Sequence, residues 1–260
     1  MAKDKKNILF LILGGIFITN AVVAELVGGK IFSLEKTLGL TPVQLPFLGE
    51  HWDFNLTAGV ILWPIVFITT DIINEYFGKK GVKRISYFTV ILIIYVFIAI
   101  FGITLLAPAD FWLDSNSIDS QGNSLNIHYA FNAIFLQGMW IIAGSLVAFI
   151  VGQILDAFIF HKLRSITGKK SLWLRATGST LVSQLVDSFV VLIIAFYISG
   201  KLPLSAVISI GIVNYIYKFI IALIITPLLY VAHYVIDRYL GKQLSQEMMD
   251  KAAHESKTLL

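Results

Sequence analysis

The chain has no cysteine, six prolines and little charge: 14% of its 260 residues are Asp, Glu, Lys or Arg. Without cysteine there are no disulfides, no thiolate metal sites and no cysteine nucleophile. The shortage of charge, set against 57% hydrophobic residues, excludes a soluble domain of this size, whose surface would need more polar cover. Catalytic signatures are missing too. There is no HExxH, GxSxG, Walker A or GxGxxG pattern, so no cofactor and no enzymatic activity are expected, and the chain carries no phosphate-binding loop for hydrolysing ATP.

Long apolar runs are what the chain does have. Several exceed the ~18 residues that mark a transmembrane helix. The expected fold class is all-α, a polytopic membrane protein with six transmembrane helices at about 8–33, 55–78, 84–107, 130–160, 173–200 and 205–236. Pro64 and Pro227 fall inside these spans, where kinks are tolerated. The basic start, MAKDKKNILFLILGG, leads into an apolar run reaching about Phe32, too long for a cleaved signal, and reads as the first span. Residues 1–238 form the expected membrane domain, and residues 239–260 a polar, partly helical cytoplasmic tail.

The net charge of +4 does not point to nucleic acid, because the basic residues sit in short loops where topology accounts for them. Lys3, Lys5, Lys6, Lys79, Lys80, Lys83, Arg84, Lys162, Arg164, Lys169, Lys170, Arg175, Arg238, Lys242, Lys251 and Lys257 share one side. Only Lys30, Lys36 and Lys201 fall on the other, and Lys218 is inside the sixth span. Such an asymmetry predicts that both termini are cytoplasmic. The outer segments 34–54 and 108–129 read as solvated loops, with the role of the second left open.

Polar side chains interrupt the apolar spans. The first carries Asn20 and Glu25. The second carries Thr69, Thr70, Asp71, Asn74 and Glu75. Asp71, Asn74, Glu75 and Gly78 are spaced i, i+3, i+4 and i+7 and share one helix face. Gln153 and Asp156 lie three apart in the fourth span, as do Gln184 and Asp187 in the fifth. Asn214 and Lys218 lie four apart in the sixth, beside Tyr215 and Tyr217. A carboxylate at the bilayer centre costs roughly 2.5–3.5 kcal/mol on insertion scales. Five acids against the single base Lys218 are therefore not explained by spanning alone and suggest a polar cavity. Glu75 and Asp156 could also pair with basic residues at the cytoplasmic surface, and Lys218 could form a structural salt bridge. A three-plus-three division would make the second and fifth spans counterparts and place Asp71 opposite Asp187, as in transporters with inverted repeats.

Carboxylates and amides among aromatics suit a flat, hydrogen-bonding ligand. A carboxylate accepts paired N–H bonds from a guanine-like edge, Gln or Asn serves the carbonyl edge, and Tyr or Phe stacks on the ring. The segments TNAVVAELVGGKIF, WPIVFITTDIINEYFGKKGVKR, GQILDAFIFHKLR and RATGSTLVSQLVDS together resemble the queuosine precursor transporter family, also grouped as vitamin uptake transporters, over roughly residues 8–238. The resemblance implies six helices, a bacterial inner membrane location, and uptake of 7-cyano-7-deazaguanine or its aminomethyl relative for tRNA queuosine. It also implies that Asp71, Glu75, Gln184 and Asp187 line the substrate site. Asn214 and Lys218 join them on the polar pattern, with Glu25, Asn20, Gln153 and Asp156 as further candidates. The expected partners are a small 7-deazapurine and membrane lipid, not nucleic acid, and a homodimer stays open. An alternative is a substrate-binding subunit energised by a separate ATP-driven module; an intramembrane enzyme is a third reading.

Overall fold

The first helix shows how an all-round apolar sequence still chooses an inside. In a computed structural model, which describes residues 2–28, 30–42, 44–47, 50–136, 139–167, 172–198, 200 and 203–257, helix α1 runs Ala2–Val27. Leu9, Leu13, Phe17, Ala21 and Ala24 recur every three or four residues and are buried, while Ile8, Leu11, Ile12 and Ile16 on the other faces stay exposed. A helix apolar all round, with one stripe packed and the rest presented outward, fits a membrane span. The first span therefore ends before the expected Phe32: the chain turns at Gly28, and Ile31–Ser33 forms strand β1.

The next segment is a small clasp of short elements. Helix α2 spans Leu34–Thr37, and strands β2, β3 and β4 span Leu45–Phe47, Glu50–Trp52 and Asn55–Thr57. β1 pairs antiparallel with β4, placing Phe32 opposite Leu56, and β2 pairs with β3. Glu35 is buried here and accepts from the Phe54 N–H at 2.9 Å. A 3₁₀ turn, Ala58–Ile61, returns the chain to α1. A Cβ on Gly59 would meet the Ala24 carbonyl oxygen at 2.6 Å, so this close approach requires glycine. The span expected from residue 55 therefore begins at Trp63, because the preceding backbone is committed to the ladder and the turn. Pro64 falls in the first helical turn, where its missing N–H leaves no bond unmade.

Helix α3, Trp63–Thr104, contains 42 residues. As one straight rod it would be about 63 Å long, twice the ~30 Å of a bilayer core. It is instead a hairpin. Gly78 has φ 68° and ψ −174°, a conformation essentially reserved for glycine. Thr70 Oγ1 and Ser86 Oγ lie 3.3 and 3.5 Å from the same atom, Gln153 Oε1. Residues that far apart in sequence meet at one atom only if the chain doubles back between them. The basic run Lys79–Arg84, expected as a connecting loop, is thus the first turns of the returning arm.

Two short helices follow, α4 at Asp110–Ser115 and α5 at Ile127–Phe135. Between them Asp119 accepts from the backbone N–H groups of Asn123 and Gln121, which hold its carboxyl below the usual range. The fourth span, expected from residue 130, starts later: α6 is Met139–Thr167. α7, Leu172–Leu192, continues as a π-helical segment, Ile193–Ile198. α8 is Leu204–Leu240 with Pro227 inside it, and α9 is Lys242–Lys257. Five helices among the described residues are long and apolar enough to cross a membrane, within Asp4–Val27, Trp63–Thr104, Gly144–Thr167, Leu181–Ile198 and Leu204–Leu240. The molecule is an all-α polytopic membrane protein.

α6 packs on α7, α7 on α8, and α3 on α1, α6, α8 and α9. The core gathers Leu13 and Phe17 of α1, Val66, Ile73 and Tyr76 of α3, and Phe149 and Phe160 of α6. α9 lies across the hairpin tip with Ser245, Met248 and Ala252 buried. A Cβ on Gly78 would meet Ala252 at 3.4 Å. Replacing Gly78 by alanine both adds this contact and strains the backbone, by about 1–3 kcal/mol. The purified Gly78→Ala protein should melt at a lower temperature than the parent in the same detergent, whereas Gly102→Ala, a glycine with open space around it, should not.

Candidate functional site

Buried polar side chains recur along the first arm of α3, and the structure answers them in different ways. Near its tip, Glu75 is 3% exposed. Arg175 of α7 grips it with two bonds, Nη2 to Oε1 at 2.8 Å and Nε to Oε2 at 3.3 Å. Arg164 of α6 adds a third contact, Nη2 to Oε1 at 3.6 Å. The same guanidinium donates to the backbone carbonyls of Glu75 (3.3 Å) and of Met249 in α9 (2.7 Å). Arg164 and Arg175, counted from the sequence as loop charges, are therefore buried ion-pair partners. Their signal was the nearby unpaired acid, but the spacing along the chain does not say which arginine reaches it.

A second network lies beside the first. Tyr76 donates to Asp237 Oδ1 at 2.7 Å and its oxygen is 3.0 Å from His233 Nδ1. Ser245 of α9 donates to the same Asp237 oxygen at 2.5 Å. Lys6 of α1 pairs with Glu247 at 3.1 Å. These bonds fasten α9 to the basic end of the bundle.

One turn and more above, the helices part around two adjoining narrow hollows that share Trp63, Phe67 and Gln184. Val60, Pro64, Tyr217 and Lys218 line one; Phe149, Gly152, Gln153, Asp156, Ser183 and Asp187 line the other. Trp63 stacks on Phe67 with centroids 6.0 Å apart and meets Phe149 at 5.6 Å. Lys218 Nζ donates to Asp187 Oδ2 at 2.5 Å. Ser183 donates to Asp156 Oδ1 at 3.3 Å. Gln184 is 3% exposed, and its Oε1 has no hydrogen-bond partner among the described residues. An apolar, aromatic-walled hollow with a few convergent polar groups is the form that small-molecule sites take.

The expected site residues therefore separate. Gln153, Asp156, Gln184, Asp187 and Lys218 surround the hollows. Asp71 is buried one turn beyond Phe67, and Glu75 is held in the ion cluster. Glu25 accepts from Ser145 at 2.6 Å, between α1 and α6. Asn20 donates to the Ile16 carbonyl of its own helix at 2.8 Å. Asn214 is half-buried one turn before Lys218. Trp63 and Phe67 were not singled out from the sequence, since aromatics in an apolar span carry no distinguishing mark.

A family model described as "Putative vitamin uptake transporter" matches residues 57–232. The chain is 31% identical over 184 residues to a Bacillus subtilis (strain 168) protein named "Probable queuosine precursor transporter", covering 70% of this chain and 74% of that protein. A Haemophilus influenzae protein of the same name is 29% identical over 195 residues, with 70% and 74% covered. The Escherichia coli (strain K12) "Queuosine precursor transporter" is 29% identical over 198 residues, with 70% and 73% covered. No solved structure matches the chain significantly.

The Glu75 cluster carries the plainest energetic consequence here. Removing one partner of a buried ion pair costs about 3–5 kcal/mol, because the other charge is left unanswered. Glu75→Gln should sharply reduce folded yield and lower the melting temperature. The double variant Glu75→Gln with Arg175→Met should recover part of the loss in the same melt.

Proposed function

Because the chain belongs to the vitamin uptake transporter family, whose matched relatives are named queuosine precursor transporters, we propose that it imports a 7-deazaguanine precursor, 7-cyano-7-deazaguanine or its aminomethyl relative, across the bacterial inner membrane for tRNA queuosine. The observation that carries this reading is the aromatic hollow with Gln184 and Asp187 at its wall. Asp187 accepts from the amino and ring N–H edge of the base, the role that Asp and Glu play toward base amino groups elsewhere. Gln184, whose amide oxygen lacks a protein partner, completes the hydrogen-bonding edge. Trp63 and Phe67 supply a face for the ring.

Lys218 occupies Asp187 at 2.5 Å, so the ligand edge takes over a carboxylate that the lysine otherwise neutralises. Gln153 and Asp156 form the adjoining wall. The proposed topology has six spans, counting the two arms of the α3 hairpin separately, with both termini cytoplasmic. The hairpin turn at Gly78, beside Lys79, Lys80, Lys83 and Arg84, favours that orientation. Transport then proceeds by rocking of the first arm of α3 against α7 and α8 around the hollow, which is narrow here and must widen to admit a bicyclic base. Residues 1–238 act as the transport domain and 239–260 as a cytoplasmic segment.

The test is tRNA queuosine content in cells unable to make precursors, supplied with this gene and fed each precursor in turn. Queuosine should return with at least one of them. Gln184→Ala and Asp187→Asn should each lower uptake of labelled precursor about tenfold or more, the effect of losing roughly 1.4 kcal/mol of binding, at equal protein in the membrane. Unchanged uptake in both would remove the hollow from the pathway. Uptake by the purified protein alone in liposomes separates an independent carrier from a subunit that needs an ATP-driven module.

A further inference from the structure

Asp71 and Asn74 lie one turn apart on the buried face of the α3 first arm, 6% and 0% exposed. Asp71 Oδ1 and both amide atoms of Asn74, Nδ2 and Oδ1, are shielded from solvent and have no hydrogen-bond partner among the described residues. A buried polar atom left unanswered costs about 1–3 kcal/mol. Three such atoms on one turn are an unmet hydrogen-bonding demand that packing alone does not explain.

The neighbouring charges do not fill it. Arg175 and Arg164 are committed to Glu75, and Lys218 to Asp187. Asp71 has no ion pair among the described residues. Titratable and charged groups on its own arm and on the neighbouring elements include Glu75, Glu25 on α1, and Asp156, His161 and Arg164 on α6. Arg175 and Asp187 stand on α7, Lys218, His233 and Asp237 on α8, and Asp250 on α9. The two whose charge bears most on Asp71 are both acids, Asp156 and Glu75. Oxygen ligands in a field of negative charge are the setting for a hard cation. Among the described residues no three His, Cys, Asp or Glu side chains converge as a metal site, so the low ligand charge suits a monovalent ion.

We propose that Asp71 and Asn74, with the Asp156 carboxyl as their nearest source of like charge, form a binding site for one monovalent cation, a proton or a sodium ion, next to the aromatic hollow that Asp156 also lines and coupled to it through α3. A proton gives the Asp71 carboxyl a donor, whereas sodium takes the carboxylate and amide oxygens as ligands. The arm carrying the site also carries Trp63 and Phe67, so filling it biases the element that opens the hollow. Only this coupling rests on the transport reading; the cation site itself does not.

The first experiment therefore needs no organic substrate. The melting temperature of the purified full-length protein is measured in sodium chloride against choline chloride at equal ionic strength, and across mildly acidic to mildly alkaline pH. A ligand that binds only the folded state raises the melting temperature. The wild type should be stabilised by sodium or by falling pH, and Asp71→Asn should lose that response. Should Asp71→Asn not fold, Asn74→Ala provides the second variant, with a weakened response. An identical ion response in wild type and variant, or no response to either ion in the wild type, overturns the site.

The second experiment reconstitutes the protein in liposomes with labelled 7-cyano-7-deazaguanine. An inward gradient of the responding ion should raise accumulation about tenfold, the factor that ~1.4 kcal/mol supplies, and accumulation by Asp71→Asn should be indifferent to the gradient. Gradient-dependent accumulation by the variant equal to wild type overturns the coupling. An ion response in the melt with no base transported by the wild type leaves the cation site standing and defeats the substrate reading instead.

Discussion

The Glu75 carboxylate held between Arg175 and Arg164 is the contact on which the basic end of the molecule depends. In a low-dielectric interior neither sign can be buried alone, so the three side chains must arrive together. Meeting that condition draws the α3 tip, α6 and α7 to one point. Arg164 then uses its remaining donors on the carbonyls of Glu75 and Met249, which brings in α9. Gly78 turns the chain three residues after Glu75.

Above this cluster the buried acids are answered differently, level by level. Glu25 has a serine hydroxyl, Asp187 a lysine, Asp156 a serine among its partners, and Asp71 no protein cation among the described residues. An acid gripped by two arginines is an anchor, since separating the charges is expensive. An acid held by one lysine at a partly buried position is exchangeable, because an incoming donor can replace the ammonium. The gradation runs across α1, α3, α6 and α7, from fixed to exchangeable, and that is the arrangement a carrier needs: a rigid end to rock against and a wall whose bonds can be traded.

The spans were readable because lipid imposes length and apolarity on any segment that crosses it. The face shared by Asp71, Asn74 and Glu75 was readable from helical spacing, and all three are buried as that spacing implies. The pairing of Lys218 with an acid was also open to view, since it is the single base inside a span. Other features left no such trace. Residues 31–33 and 55–57 adjoin the apolar runs and read as the ends of their spans, yet a cross-strand ladder claims them. Arg164 and Arg175 looked like loop charges because a basic residue near a span end is ordinarily solvated. Trp63 and Phe67 were hidden among many aromatics.

Composition and periodicity by themselves determined that this is a multi-helix membrane protein with acids on an inward face, because the bilayer penalises every other way of placing those residues. The family was legible for the same reason, in the segments that carry those acids. Which charge answers which acid was decided only in three dimensions. Helical spacing sets a side chain's face and height, but partners on α6, α7, α8 and α9 are chosen by how the helices pack. That packing turned the α3 polar stripe into a clamp at Glu75 and a buried pair, Asp71 and Asn74, with unpartnered atoms among the described residues, and made a wall of Gln184 and Asp187 on α7.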